Sequence, residues 1–428
     1  MLTFAGGALS PAALVVPVVP MSVVTPEISR RTPLIQVLKH RNYRLFFWGQ
    51  LLSQMGLWMH IVAQSWLVYR LTGSPLMLGV TGFLAQAPIL FFAVFGGAIA
   101  DRMARRKLLI ITQAAYMLQA TILTVLAFTG AVEMWHLIVL ALSYGLITAI
   151  DTPTRQAFTL ELVGRADLQS AIALNAIMFN GARVIGPAIA GVVIGITGEA
   201  WCFAINAVSY SAVLLSLILM RLEPAAAKGQ RSGALSDLIE GFQYVARHRE
   251  IRTALIVLAV ASFAGGPYLT LMLAFANDVL KATSEGYGLL MATVGAGALL
   301  GAVAMNRLSA TALRYAPATA AVGLGVFMTA FSFSRDLGLA AALVLPTSFF
   351  LMLQGSSTNI TLQSAVDDRM RGRVMAYYTM AFMGMIPFGG LAAGALATVI
   401  GTPLTLAIGG TVCALSGAVS LILKRRAG

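Results

Sequence analysis

The chain of 428 residues is 58% hydrophobic and only 11% charged, and its mean hydropathy is +0.84. Because about a quarter of the residues in a soluble domain are charged, this composition indicates an integral membrane protein without room for a soluble catalytic domain. The net charge of +13 would suggest a nucleic-acid partner in a soluble protein; here we interpret it as topology and expect no nucleic acid.

The first segment, residues 1–41, is predicted to be disordered and cytoplasmic. Its apolar run is interrupted by Pro17 and Pro20 and has no basic residue ahead of it, so it is neither a spanning helix nor a convincing signal peptide.

Twelve apolar runs follow. They are continuous and about twenty residues long, which is typical of transmembrane helices and not of barrel strands. The fold class is therefore an all-α membrane protein with twelve transmembrane helices. Predicted helices 1 to 12 cover residues 44–69, 76–100, 108–130, 134–151, 170–196, 200–220, 252–276, 286–305, 315–334, 338–362, 374–399 and 402–423.

The longest polar stretch divides these helices six and six. We predict an N-terminal half at 42–221, a cytoplasmic linker at 222–251 and a C-terminal half at 252–428. Apolar residues recur at helical spacing in the linker and predict an amphipathic helix on the membrane surface: Leu235, Leu238, Ile239, Phe242 and Val245.

The basic residues indicate the orientation. Of the 29 Lys and Arg residues, Arg183 falls inside predicted helix 5, and Arg70, Lys281 and Arg335 lie on one side. The others lie on the opposite side, which the positive-inside rule makes cytoplasmic. We therefore expect a multi-pass protein of the cell inner membrane with both termini in the cytoplasm.

The two halves share a pattern. Glycines at 186, 191 and 198 in predicted helix 5 recur 203 positions later at 389, 394 and 401 in predicted helix 11. A second match, at an offset of 204, relates the sequence at the end of predicted helix 2 to the sequence at the end of predicted helix 8. These offsets predict a duplicated six-helix unit.

Four stretches of the sequence resemble a known family. Gly97-Ala98-Ile99-Ala100-Asp101-Arg102, followed by Arg105, Arg106 and Lys107, is similar to the helix 2–3 signature of the major facilitator superfamily, with Ala104 in place of its usual second glycine. Gly186-Pro187 and Gly191 resemble the signature of exporting antiporters. The segments at 66–75 and 151–157 resemble the branch that contains enterobactin exporters and macrolide-efflux proteins.

This resemblance implies alternating access, in which one half rocks against the other around a central cavity. It also implies a cytoplasmic gate that is locked while the cavity faces outward. We assign Gly97, Asp101, Arg102, Arg105, Arg106 and Asp151 to this gate, with Asp151 expected at the end of predicted helix 4 as a partner of Arg102 or Arg105. The alternative is a solvated basic loop that only fixes the topology.

Polar residues on predicted helix 1 form one stripe. Because a polar stripe facing lipid is costly, it must face protein or a water-filled cavity. We expect Gln50, Gln54, Trp58, His60 and Gln64 to line the cavity, with His60 as a candidate for proton coupling; packing between helices is the alternative.

Arg183 is the least expected residue in the sequence. A guanidinium half-way along a spanning helix must face the interior and find acceptors. With no Asp or Glu in the predicted spans at its depth, amides such as Asn180, water or the substrate are left; a structural arginine that bridges helices is the alternative. Tyr377 and Tyr378 of predicted helix 11 are further candidates for the cavity wall.

These features predict a monomeric, proton-coupled secondary exporter of a small hydrophobic or siderophore-like molecule. An importer or uniporter on the same fold, or a transport-inactive sensor or scaffold, are the alternatives. We expect no enzyme activity, no metal and no cofactor, because the four histidines are dispersed and the two cysteines lack metal-ligand spacing.

Overall fold

A computed structural model describes residues 34–221, 234–305 and 307–427, and all regular elements in these ranges are helical. The helices are α1 (Arg41–Thr72), α2 (Pro75–Arg102), α3 (Arg105–Thr129), α4 (Met134–Thr197), α5 (Glu199–Leu219), α6 (Ala234–Arg247), α7 (Arg249–Val260), α8 (Pro267–Asp278), α9 (Ser284–Met305), α10 (Ala310–Ser332), α11 (Leu337–Ala365), α12 (Asp368–Thr379), α13 (Met385–Ile400) and α14 (Thr402–Ala427).

Two spans contain a short π-helical segment. Ala261–Gly265 joins α7 to α8, and Met380–Gly384 joins α12 to α13. These spans correspond to predicted helices 7 and 11. A π segment adds a residue to the turn and displaces the side chains that follow it, so it locally changes which residues face the interior.

Within the described residues, 11 helical segments are long and apolar enough to cross a membrane. They correspond to predicted helices 2 to 12. The remaining long helix, α1, has 32 residues and corresponds to predicted helix 1, but its glutamines and histidine lower its hydropathy. Hydropathy alone therefore does not identify α1 as a span.

The predicted end of helix 4 at residue 151 is wrong. Helix α4 continues through Asp151 to Gly164, whose φ of +71° bends the chain, and a second span begins at Ala166. We call the two spans α4a (Met134–Gly164) and α4b (Ala166–Thr197). The polar segment did not end the helix because Asp151 and Arg155 pair with each other inside it.

Helices α1 to α5 pack mainly on one another, and so do α7 to α14. Two extensive contacts connect the groups: α2 with α13, and α4 with α9. The exposed apolar side chains, such as Ile196 and Val399, are 76% and 81% exposed and suit a lipid environment.

Repeated glycines allow the close helix contacts. A Cβ atom on Gly191 of α4b would lie 2.7 Å from the carbonyl oxygen of Ser284 in α9. A Cβ on its counterpart, Gly394 of α13, would lie 2.7 Å from the carbonyl oxygen of Pro75 in α2. The two contacts between the helix groups are thus built from equivalent positions of the repeat.

The other two glycine pairs of the repeat are also equivalent. Gly198 and Gly401 follow α4 and α13, and both have a positive φ, +87° and +83°. Gly186 packs against Trp58 of α1, whereas Gly389 packs against the carbonyl of Phe263 in the π segment after α7. Glycines 203 positions apart thus have similar backbone conformations or make similar close helix contacts.

The two segments predicted outside the halves are partly described. Residues 1–33 of the predicted disordered segment lie outside the described residues, while Leu34–Lys39 forms a short 3₁₀ helix with Val37 fully buried. In the predicted linker, the amphipathic helix is α6. Its Val245 is buried, and its Ile239 and Phe242 are exposed.

Candidate functional site

Contacts between the two helix groups are concentrated at one end of the molecule. This closed end is where α1, α4b, α8 and α13 finish. There the hydroxyl of Tyr69 donates a hydrogen bond of 2.5 Å to Oδ2 of Asp278, which joins α1 to α8. The rings of Trp66 and Tyr287 lie 6.5 Å apart, between α1 and α9. Neither Asp278 nor this bond was predicted.

Helices α4b and α9 remain in contact from the closed end to the middle of α4b. A Cβ on Gly195 would meet the carboxylate of Glu285, and a Cβ on Gly288 would lie 2.8 Å from the carbonyl oxygen of Pro187. The innermost of these contacts is between Gly295 and the backbone of Arg183. A Cβ on Gly295 would lie 2.7 Å from the carbonyl oxygen of Arg183. Arg183 therefore lies at the inner limit of this glycine-mediated contact.

Arg183 is covered by aromatic side chains. Its guanidinium carbon lies 5.5 Å from the ring centroid of Trp58, a cation–π contact with α1. Trp58 in turn packs edge-on against Phe179, with ring centroids 5.7 Å apart. Tyr268 of α8 is fully buried and close enough to Arg183 for an electrostatic interaction. The environment thus combines residues from both helix groups.

Several polar atoms of this region are buried and have no hydrogen-bond partner among the described residues. They are Nε of Arg183, Nε1 of Trp58, the hydroxyl of Tyr268, Oε1 of Gln54 and Oδ1 of Asn180. Arg183 also has no carboxylate partner in the described part of the chain. Groups of this kind are costly to bury, so each requires water or a ligand.

The side chains of the predicted polar stripe on α1 do not all face the same space. Gln50 accepts a hydrogen bond of 2.7 Å from Nη1 of Arg155 in α4a. His60 contacts the ring of Phe203 in α5 and pairs with Gln64 at 3.1 Å. These side chains face into the packed group α1 to α5. Within the stripe, only Trp58 has a described contact with Arg183.

Asp151 is buried in the middle of α4a and not at a helix end. Its Oδ1 accepts hydrogen bonds from Thr112 at 2.7 Å and Gln113 at 2.9 Å, and its Oδ2 accepts from Nε of Arg155 at 3.0 Å. The expected pairing with Arg102 or Arg105 is not formed. Arg155 already neutralises Asp151.

The basic loop after α2 is anchored within its own helix group. Arg105 pairs with Glu161 at 3.3 Å. Arg106 donates to the carbonyl oxygens of Leu217 and Ile218 in the last turn of α5, at 2.7 and 2.9 Å. A cation there satisfies carbonyls that the helix leaves unpaired.

The remaining gate residues have few described contacts. Arg102 is exposed, and Gly97 has open space where a side chain would be. Asp101 belongs to α2, but its side chain lies outside the described part of the structure. Ala104 has φ −60° and ψ 118°, an extended conformation that does not require the glycine usual in this signature.

The predicted cavity tyrosines of α12 lie near the amphipathic helix. Tyr377 is 6.5 Å from the ring of Phe242 in α6, and Tyr378 donates to the carbonyl oxygen of Gly355 at 3.2 Å. Glu240 of α6 pairs with Arg373 at 2.8 Å. Helix α6 is thus fixed to α12 by an ion pair that the sequence did not predict.

Of the functional candidates that sequence reasoning missed, Arg155 had a visible signal, because it follows Asp151 by four residues, one turn of a helix. In the described residues, no group of three or more His, Cys, Asp or Glu side chains could hold a metal ion.

Comparisons with known proteins agree with this architecture. Residues 32–428 match the family model described as transmembrane secretion effector. The chain is 28% identical over 380 residues to the staphyloferrin A transporter of Staphylococcus aureus, covering 86% of this chain and 94% of that protein. It is 27% identical over 407 residues to the multidrug efflux pump Tap of Mycolicibacterium fortuitum, covering 93% and 97%.

Among solved structures, a bacterial homologue of the human lysosomal transporter Spinster, in an inward-facing and unoccupied conformation, has the same fold. The TM-score is 0.68 at 13% sequence identity, with 90% of this chain and 97% of that chain covered.

Proposed function

Because the chain belongs to the transmembrane secretion effector family of the major facilitator superfamily, a family of transporters and not enzymes, we propose that it exports a small hydrophobic or siderophore-like molecule by alternating access. Transport is coupled to proton exchange. The observation that supports the proposal is that the two helix groups meet at the closed end of the molecule. From there, the glycine-mediated contact of α4b and α9 ends at Arg183.

The transporter has twelve spans in two six-helix halves, residues 42–221 and 252–428. Helix α1 is the twelfth span, which hydropathy alone does not identify. It is 32 residues long and packs along α4 and α5. Its polar residues are compatible with a membrane because they are shielded by neighbouring helices. The equivalent glycine contacts of α4b and α13 support the two halves as copies of one unit.

The closed end faces the outside of the cell. Its loops carry few cations, Arg70, Lys281 and Arg335, whereas the opposite end carries the basic loop after α2. The conformation is therefore inward-facing, with the space beside Arg183 reached from the cytoplasm. The relatives named above, one a siderophore transporter and one a multidrug efflux pump, support outward transport of small molecules.

The cytoplasmic gate forms when the protein turns outward. In that state the basic loop with Gly97, Asp101, Arg102, Arg105 and Arg106 approaches α12, where a helix N-terminus favours an anion such as Asp101. Asp151 joins α4a to α3, the helix that begins with Arg105 and Arg106. The outer contact of Tyr69 with Asp278 breaks in the same movement.

The test is efflux from proteoliposomes of the full-length protein, for a panel of neutral, cationic and anionic apolar compounds, with and without an imposed pH gradient. An exporter coupled to protons moves at least one compound against its gradient, and collapse of the pH gradient stops that movement. Movement only down the gradient would indicate a uniporter. Protein-free liposomes are the blank. The variant His60→Gln tests whether proton coupling depends on His60, the one histidine inside the packed N-terminal half.

A further inference from the structure

The charges in the middle of the membrane-spanning region do not balance. Asp151 and Arg155 neutralise each other within α4a. Arg183, near the middle of α4b, has no carboxylate partner among the described residues, and its guanidinium lies over the uncharged ring of Trp58. One positive charge at this depth is therefore left without a counterion. A guanidinium keeps its charge in any protein environment, so the imbalance is permanent.

The unpartnered groups around this charge include three hydrogen-bond donors. Nε of Arg183, Nε1 of Trp58 and the hydroxyl of Tyr268 are buried; neither nitrogen donates to another described residue, and the hydroxyl lies beside Ser348 without a well-formed hydrogen bond. An indole nitrogen and a guanidinium can only donate. Donors gathered around a positive charge match a carboxylate or another oxyanion, which only accepts.

The walls of the region are aromatic. Trp58 packs edge-on against Phe179, and Phe179 is 43% exposed. Tyr268 adds a third ring from the other half of the protein. Flat apolar surfaces beside a cation suit a ligand whose anionic group is attached to an aromatic or other apolar body.

We infer that Arg183, Trp58 and Tyr268 form the binding site for the anionic group of an amphiphilic substrate. The inference rests on the export function proposed above and narrows its substrate class to oxyanions on an apolar body. Because α4b and α8 belong to different halves, the bound anion contacts both halves, and its release accompanies their separation.

The experiment compares two probes of nearly equal size, naphthalene-2-carboxylate and naphthalene-2-carboxamide. Binding to the full-length protein in phosphatidylcholine nanodiscs is measured by equilibrium dialysis, with empty nanodiscs as the blank. The wild-type protein is expected to bind the carboxylate about tenfold more tightly than the amide, since a charge-assisted bond replaces a neutral one. Equal affinity for the two probes would overturn the inference on the wild-type protein alone.

Variants then assign the preference to a residue. In Arg183→Gln the ratio of the two affinities falls to near one, while the affinity for the amide is retained. Arg183→Lys keeps the charge but not the planar fork, so an intermediate ratio is expected, and this variant serves if Arg183→Gln does not fold. Arg335→Gln is the matched control. It removes a cation from an exposed turn and leaves the ratio unchanged. A preference that survives Arg183→Gln would refute the assignment.

Transport of the same probes separates the two proposals. Selective binding of the carboxylate without its movement against a gradient would refute export and leave the anion site standing. Movement of both probes without preference would refute the anion site and leave export standing.

Discussion

The buried ion pair of α4a is expected to stabilise the packed group of helices α1 to α5. Asp151 is 2% exposed and accepts hydrogen bonds from Thr112, Gln113 and Arg155. Breaking a buried pair by removing one partner costs about 3–5 kcal/mol. The side chain of Arg155 is 27% exposed and retains Gln50, so we expect Asp151→Asn to lower the free energy of unfolding by about 2–3 kcal/mol.

Chemical unfolding in mixed micelles, followed by tryptophan fluorescence, measures this change. The double variant Asp151→Asn with Arg155→Gln is expected to be more stable than the sum of the single changes predicts, because neither charge is then left alone. Glu161→Gln is the control: it breaks the half-exposed pair with Arg105 and is expected to cost less than about 1 kcal/mol. Equal losses for Asp151→Asn and Glu161→Gln would refute the reasoning.

Three further changes test other parts of the structure. Gly191→Val places side-chain atoms within 2.7 Å of the carbonyl of Ser284, so α4b cannot pack closely on α9 and transport is expected to be lost; Val192→Ala, on the exposed neighbour, is expected to transport normally. Tyr69→Phe removes the hydrogen bond to Asp278 and is expected to increase the outward-open population up to about tenfold, detectable as faster labelling of a cysteine inside the cavity. Arg106→Ala leaves two carbonyls of α5 without their donor and lowers the free energy of unfolding by about 1–2 kcal/mol; an unchanged unfolding curve would show that water replaces the arginine.

Much of the helix arrangement could be predicted from local sequence, because the membrane requires a continuous apolar run for each span. The failure at residue 151 has a physical reason. Asp151 and Pro153 look like the end of a helix when residues are considered one at a time, but Asp151 and Arg155 lie one turn apart and neutralise each other. Hydropathy does not detect such a pair, so predicted helix 4 was too short.

The candidate site was predicted in part. The prediction that Arg183 faces the interior agrees with its contact to Trp58. The orientation of the α1 stripe could not be predicted, since residues within the same arc of α1 contact different helices: Gln50 contacts α4a, and His60 contacts α5. The proximity of Tyr268 depends on how the two halves meet, which no local pattern encodes. The gate role of Asp101 remains a prediction.

The central claim is that the closed end opens when the opposite end closes. Spin labels at Ser74 and Thr398 report on the closed end, and labels at Lys107 and Ala365 report on the other end, in a background without Cys202 and Cys413. Pulsed electron–electron double resonance in nanodiscs gives the distribution of distances within each pair of labels at low and high pH. Alternating access predicts that the first distance lengthens as the second shortens. Distances that stay fixed, or that lengthen together, would contradict the account.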